Sequence, residues 1–204
     1  MTSLDISMLT ICGLEELSQH VGTPVTHVLS ILDPEQPDPV IFGDFPHLAR
    51  KVLRFHDVVE PTLPGQVRPR REHVEEILAF GTTLKETANG QGAHLLVHCH
   101  AGISRSSAAM TALLAQLDPQ RPAEAIVTQI VAIRPKAWPN LLIIESADDL
   151  LRREGTLIDA VGRLYARQLE RFPHIADFMK ASGRLREVEL GLAAREARRR
   201  APSA

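Results

Sequence analysis

An α/β fold is what this sequence predicts, and three observations predict it. Leu95, Leu96 and Val97 make an apolar run with the length and branching of a buried parallel strand. That run enters a short turn containing Gly102, and after Arg105 the residues Ser106 to Ala115 are small or apolar at helical spacing, which reads as strand, tight loop, helix. Earlier in the chain, β-rich runs closed by stop signals precede an amphipathic helical segment.

Taken in order, Ser7 to Cys12 reads as a first strand ended by Gly13, and Leu14 to His20 as a short helix. Thr26 to Leu32 is a second strand, bounded by Asp33-Pro34. Residues 34–39 form a loop, and Phe42 to Ala49 is irregular or briefly helical before a third strand, Lys51 to Val59. Residues 61–71 are a long loop stiffened by Pro61, Pro64 and Pro69 and carrying Arg68, Arg70 and Arg71. It is either a substrate-holding or lid segment or a solvated connection. Glu72 to Thr87 sets Val74, Ile77, Leu78, Phe80 and Leu84 at helical spacing and stops at Asn89-Gly90.

Beyond the central strand and turn, Asp118-Pro119 punctuates one helix and Pro122 opens another that runs to Arg134. An apolar helix follows from Asn140 to Leu151, with Pro139 suited to its start by a fixed φ. From Gly155 the pattern changes: Thr156 to Phe172 is amphipathic, Pro173 ends it, and Ile175 to Arg200 reads as one further helix rich in glutamate and arginine. The chain therefore divides into residues 1–153 and a C-terminal helical extension, 154–204, packed on the first part or facing a partner. A helix that is polar almost all round projects into solvent or meets a partner, so a homodimer contact through these helices and a solvated tail both stay open.

At 204 residues the chain holds one sizeable domain plus an appendage. A net charge of -2 gives no reason to expect affinity for nucleic acid or for a membrane. Cys12 and Cys99 are too few for a disulfide framework, and the first residues carry neither a basic region nor a long apolar core, so a reduced, cytoplasmic protein is expected. Arginine greatly outnumbers lysine and alanine is frequent, as in a GC-rich bacterial genome.

The chemistry sits in the turn. A strand-to-helix turn points its N–H groups at a common centre and the helix adds the positive end of its dipole, which makes an anion site. Here Cys99 opens the turn and Arg105 closes it. A thiol attacks only as thiolate, which converging amides and a cation favour. The planar fork of Arg105 suits two oxygens of a tetrahedral phosphate, and backbone donors of His100, Ala101, Gly102, Ile103, Ser104 and Arg105 suit the remaining one. In-line attack gives a phosphocysteine, and the Ser106 hydroxyl, donated to sulfur, would stabilise the thiolate and ease its departure. Such a site requires no metal and no cofactor.

The residues from His98 to Ser106, HCHAGISRS, resemble the signature of the cysteine-dependent protein tyrosine and dual-specificity phosphatases. The resemblance covers roughly residues 7–150. It implies a central, mostly parallel sheet flanked by helices, to which the C-terminal helices are an addition. It also implies a phosphomonoester hydrolase acting on a phosphorylated protein or a small phosphomonoester. In the family a general acid follows the strand that precedes the helix before the signature turn; the matching residue is Asp57 in FHDVVEP, with Glu60 as runner-up. The loop after Asp57 is longer than in compact dual-specificity enzymes. Arg134-Pro135 and Pro139-Asn140 match the family's lead into the helix that buttresses the turn. The turn lacks the lysine of relatives that take inositol phosphates, which favours a phosphoprotein.

Other readings compete. His94, His98 and His100 share a strand face and, with Cys99, form a candidate metal set, although no second ligand cluster accompanies them. A rhodanese-like sulfurtransferase also cradles a cysteine in backbone amides. A phosphate-binding module without turnover would keep the cradle and lack the acid. Cys12 is either a core residue or an oxidation partner of Cys99, and Trp138 either packs or lines the entrance.

Overall fold

The computed structural model describes residues 6–45, 48–87 and 92–200. The Asn89-Gly90 stop lies outside the described residues. Strands β1 (Ile6–Cys12), β2 (His27–Leu32), β3 (Ala49–Arg54) and β4 (Ala93–His98) form a four-stranded sheet in the order β1-β4-β2-β3. Every pairing is parallel. The inner strands β2 and β4 are buried along their whole length, as their near-continuous apolar runs require. The edge strand β3 carries Arg50, Lys51 and Arg54, charges that discourage edge pairing.

Because the strands run one way, Cys12, Leu32, Arg54 and His98 all end at one edge of the sheet. Open parallel sheets bind ligands there. The third strand, expected to reach Val59, ends at Arg54. Its neighbour β2 stops at Asp33-Pro34, so after Phe55 N bonds Leu32 O (2.9 Å) no partner backbone remains, and His56 N turns instead to Val67 O (2.7 Å).

The helices are α1 (Arg71–Thr87), α2 (Arg105–Leu117), α3 (Ala123–Ile133), α4 (Leu141–Leu150), α5 (Thr156–Arg171), α6 (Ile175–Ala181) and α7 (Leu185–Arg200). Helix α2 is buried from Arg105 to Ala115, which explains its small residues: α1, α3, α4 and the sheet crowd it on all sides. One apolar cluster runs from Leu29, Ile31 and Leu95 through Ala108 and Ile143 to Leu157, Val161 and Val188 of the last helices. A smaller one, around Cys12, Leu17, Val28 and Leu96, covers the opposite sheet face. The buried carboxylate of Asp148 in α4 accepts from Gly155 N (2.6 Å) and Leu157 N (2.8 Å), capping α5 from a distance. Among the described residues no helix is long and apolar enough to cross a membrane.

The single helix expected from Ile175 to Arg200 is two. Gly183 adopts φ +69°, and a Cβ there would lie 2.2 Å from Glu60 O, so only glycine can make the turn this close to the segment after Asp57. Glu60 N bonds Gly183 O at 2.9 Å, and the break directs Arg184 inward.

Candidate active site

The turn between β4 and α2 is held from outside by its carbonyls. His100 O accepts from Leu14 N (2.9 Å), Ala101 O from Arg134 Nη2 (2.8 Å), Ile103 O from Trp138 N (2.9 Å), and Ser104 O from Ala108 N (3.0 Å). Among the described residues the amides of residues 100 to 104 donate to no protein acceptor. Gly102, at φ +68°, seats the turn on the end of β1; a Cβ there would fall 2.5 Å from Cys12 C and 2.7 Å from Gly13 N. Arg134 also pairs with Glu16 (2.8 Å), whose other oxygen accepts from Gly13 N (2.6 Å). The Arg-Pro segment thus braces the turn and the end of β1 together.

Cys99 is buried, and its Sγ lies 3.2 Å from Ser106 Oγ at the start of α2. Arg105 is buried as well: Nη1 donates to Asp33 Oδ1 and to Phe55 O, both at 2.6 Å. Among the described residues its Nε is a buried donor with no partner. A native structure rarely leaves such a donor unpaired unless a ligand takes it.

Asp57 stands at the rim. Its Oδ1 accepts from Ser104 Oγ (2.7 Å) and Asn140 Nδ2 (3.0 Å), and Arg184 Nη1 lies 3.1 Å away. Burial drives this carboxyl upward, but Arg184 and then Arg105, with the two hydrogen bonds, outweigh it and hold the group below the usual carboxylate range. The runner-up, Glu60, is engaged through its backbone with Gly183.

The three histidines do not converge. His94 Nε2 meets Thr10 Oγ1 (2.8 Å), His98 Nε2 meets Ser30 Oγ (2.7 Å), and His100 Nε2 takes Asp33 N (3.2 Å). Burial pulls His98 down to about 4, so it is a neutral hydrogen-bonding residue beneath the turn. Burial likewise pushes the Cys12 thiol up to about 12, with Glu16 and Cys99 adding to the effect. Trp138 is packed, stacked on Tyr165 at 4.6 Å between ring centroids. Of the 61–71 loop, Arg71 pairs with Asp149 and Glu75 on the helix side.

Three residues escaped the sequence reading. Asp33 reads in the sequence only as a strand stop, although it directly follows a parallel strand at the edge where ligands bind. Arg184 and Glu187 lie in a segment whose charge reads equally as a helical extension, a partner contact or a solvated tail. Glu187 is fully buried and accepts from Trp138 Nε1 (2.6 Å), Leu141 N (2.9 Å) and Arg184 Nε (2.6 Å).

No family model matches the chain. Human dual specificity protein phosphatase 12 is 43% identical over 68 residues, 33% of this chain and 18% of that protein, so the chain spans less than a fifth of this curated relative. The crystal structure of human DUSP28 is similar at a TM-score of 0.51 and 20% identity, over 76% of this chain and 97% of that one. Tk-PTP in its active form gives a TM-score of 0.51 at 17% identity, over 72% of this chain and 93% of its own.

Proposed function

We propose that this chain, whose fold is that of the dual-specificity group of the cysteine-dependent protein tyrosine phosphatase superfamily, hydrolyses phosphomonoesters through a phosphocysteine. One observation carries the reading: a turn whose carbonyls are tied outward encloses a buried arginine with an unpartnered Nε, beside a cysteine. The amides of His100, Ala101, Gly102, Ile103 and Ser104, with Arg105, are the natural holders of a phosphate there.

In the first step the Cys99 sulfur attacks phosphorus as the ester P–O bond breaks, and the leaving oxygen takes the electron pair and a proton, from Asp57 or, where the anion is stabilised, from water. In the second, water attacks phosphorus, gives a proton to Asp57, and the S–P bond breaks. Ser106 Oγ, at 3.2 Å, donates to the departing sulfur. Asp33 and Phe55 O fix Arg105 so that its fork needs no reorganisation when the phosphate arrives.

The substrate is a phosphorylated protein or a small phosphomonoester, a choice favoured by a turn without lysine. Residues 1–153 form the catalytic unit and 154–204 an extension packed on it, a division supported by the change of sequence pattern at Gly155. We place the protein in a bacterial cytoplasm on its arginine-rich composition and its two free cysteines. A homodimer through the C-terminal helices is supported by exposed Leu185 and Leu192 on α7. A binding module without turnover accounts poorly for Asp57 at the rim, and the likeness in fold to DUSP28, a phosphatase structure, favours hydrolysis over sulfur transfer.

Hydrolysis of an aryl phosphate by the wild type and by Cys99→Ser, with chelator present, tests the reading. Turnover in the wild type alone supports it. Turnover that survives the substitution, or that chelator abolishes in the wild type, refutes it.

A further inference from the structure

This inference rests on the hydrolase reading and concerns how the C-terminal helices enter the reaction. Arg184, just before α7, is buried. One side of its guanidinium is fixed by Glu187, through Nε (2.6 Å) and Nη2 (2.8 Å). The other side faces the turn, with Nη2 donating to Ser104 Oγ (2.7 Å) and Nη1 at 3.1 Å from Asp57 Oδ1. Glu187 alone suffices to neutralise the arginine, and buried ion pairs roughly break even for stability. The second contact, to the Asp57 carboxylate at the rim of the turn, is therefore not explained by folding.

A cavity of about 550 Å³ adjoins this pair. Asp57, Ser104 and Arg184 are part of its lining, and Ile103, Phe178 and Met179 supply apolar wall. The leaving group of a phosphomonoester seated on the turn extends past the residue that faces its ester oxygen, and that residue, Asp57, opens into this space.

We propose that Arg184 is a positioning residue for the hydrolysis: it fixes Asp57 as a carboxylate over the turn, so that Asp57 serves chiefly as proton acceptor for the water that attacks the phosphocysteine. The first step then runs with little protonation of the leaving oxygen. Aryl phosphates, whose oxygen departs as a stabilised anion, react in preference to alkyl phosphates, and the apolar cavity receives the ring. The groups facing Asp57 agree with this. Ser104 and Arg105 approach from the turn, Asn140 from the start of α4, and Arg184 from the extension, while His100 and Tyr165 also feel its charge. Both arginines favour the ionised form.

The test compares the wild type, Arg184→Lys and the double variant Arg184→Met/Glu187→Gln, which leaves neither member of that pair charged. It reads kcat and kcat/KM against pH for phenyl phosphate and for an alkyl phosphate. In the double variant the alkyl-to-aryl ratio rises about tenfold for each unit that Asp57 moves up, and the limb on which Asp57 titrates moves to higher pH. Arg184→Lys, which keeps the charge, falls between. Equal loss on both substrates with an unchanged pH profile shows a merely structural arginine and refutes the proposal. A wild type without Cys99-dependent turnover refutes the hydrolase reading instead; carboxylate titration of Asp57 by carbon NMR then decides the positioning role, which fails if Asp57 titrates at one pH in all three proteins.

Discussion

Replacing Gly102 with alanine probes the seat of the turn, and Gly22 supplies the matched control. Both glycines have a positive φ, +68° and +80°. A Cβ at Gly22 meets nothing within 4 Å, whereas at Gly102 it meets Cys12 C at 2.5 Å, Gly13 N at 2.7 Å and Cys12 O at 2.8 Å. All three are backbone atoms, so no side chain can swing away. A left-handed alanine costs about 1–2 kcal/mol, partly offset by about 0.4–1 kcal/mol from a stiffer unfolded chain. Gly22→Ala should therefore destabilise by about 0.5–1 kcal/mol and leave activity intact. Gly102→Ala adds overpacking of about 1–3 kcal/mol, a total of about 1.5–4 kcal/mol unless the turn moves off Cys12-Gly13. Movement of about 1 Å would misplace the amides and cost about a hundredfold in rate. Urea denaturation and aryl phosphate turnover of the two variants, side by side, read both effects. Equal stability and equal activity of the pair would refute the close seating as what holds the turn.

Three further outcomes are expected. Glu187→Ala leaves the buried Arg184 without its own carboxylate and strips acceptors from Trp138 Nε1 and Leu141 N; urea unfolding should show a loss of about 3–5 kcal/mol, and Glu187→Gln a smaller one. His98 is held neutral with its pKa depressed from 6.5 to about 4. Its contribution is thus fully present above the unfolded value and is lost as pH falls from 6.5 toward 4, about 3 kcal/mol in all. The stability difference between wild type and His98→Asn, followed by urea midpoint against pH, should shrink over that window, and a constant difference would contradict it. Asp57→Asn should lower kcat by about a hundredfold or more on an aryl phosphate and make phosphocysteine accumulate, because the lost acceptor serves the second step; unchanged kcat would remove Asp57 from the mechanism.

The parts legible in the sequence are those written contiguously. The apolar run before Cys99, the spacing from Cys99 to Arg105 and the small residues of α2 lie in one stretch, and each carries a local physical reason. Asp57 was reachable through resemblance, since its contacts to Ser104 and Asn140 span 47 and 83 residues. Asp33 and Arg184 reach the turn across 72 and 80 residues, and no periodicity reports such a meeting. Charge concealed the rest. In α7 the abundance of arginine and glutamate leaves a solvated tail and a partner-facing helix equally open, yet Glu187, Val188 and Gly191 share a buried side against α5. The break before Arg184 did have a signal, Ser182-Gly183, which the charged run after it obscured.

The most direct test of the whole account is acid quenching of the wild-type protein during aryl phosphate turnover, followed by mapping of the modified residue by mass spectrometry. Phosphate bound to Cys99, formed in a burst that approaches one per chain and absent from Cys99→Ser, is the predicted result. Steady turnover in which phosphate never appears on Cys99, or appears on another side chain, would contradict it.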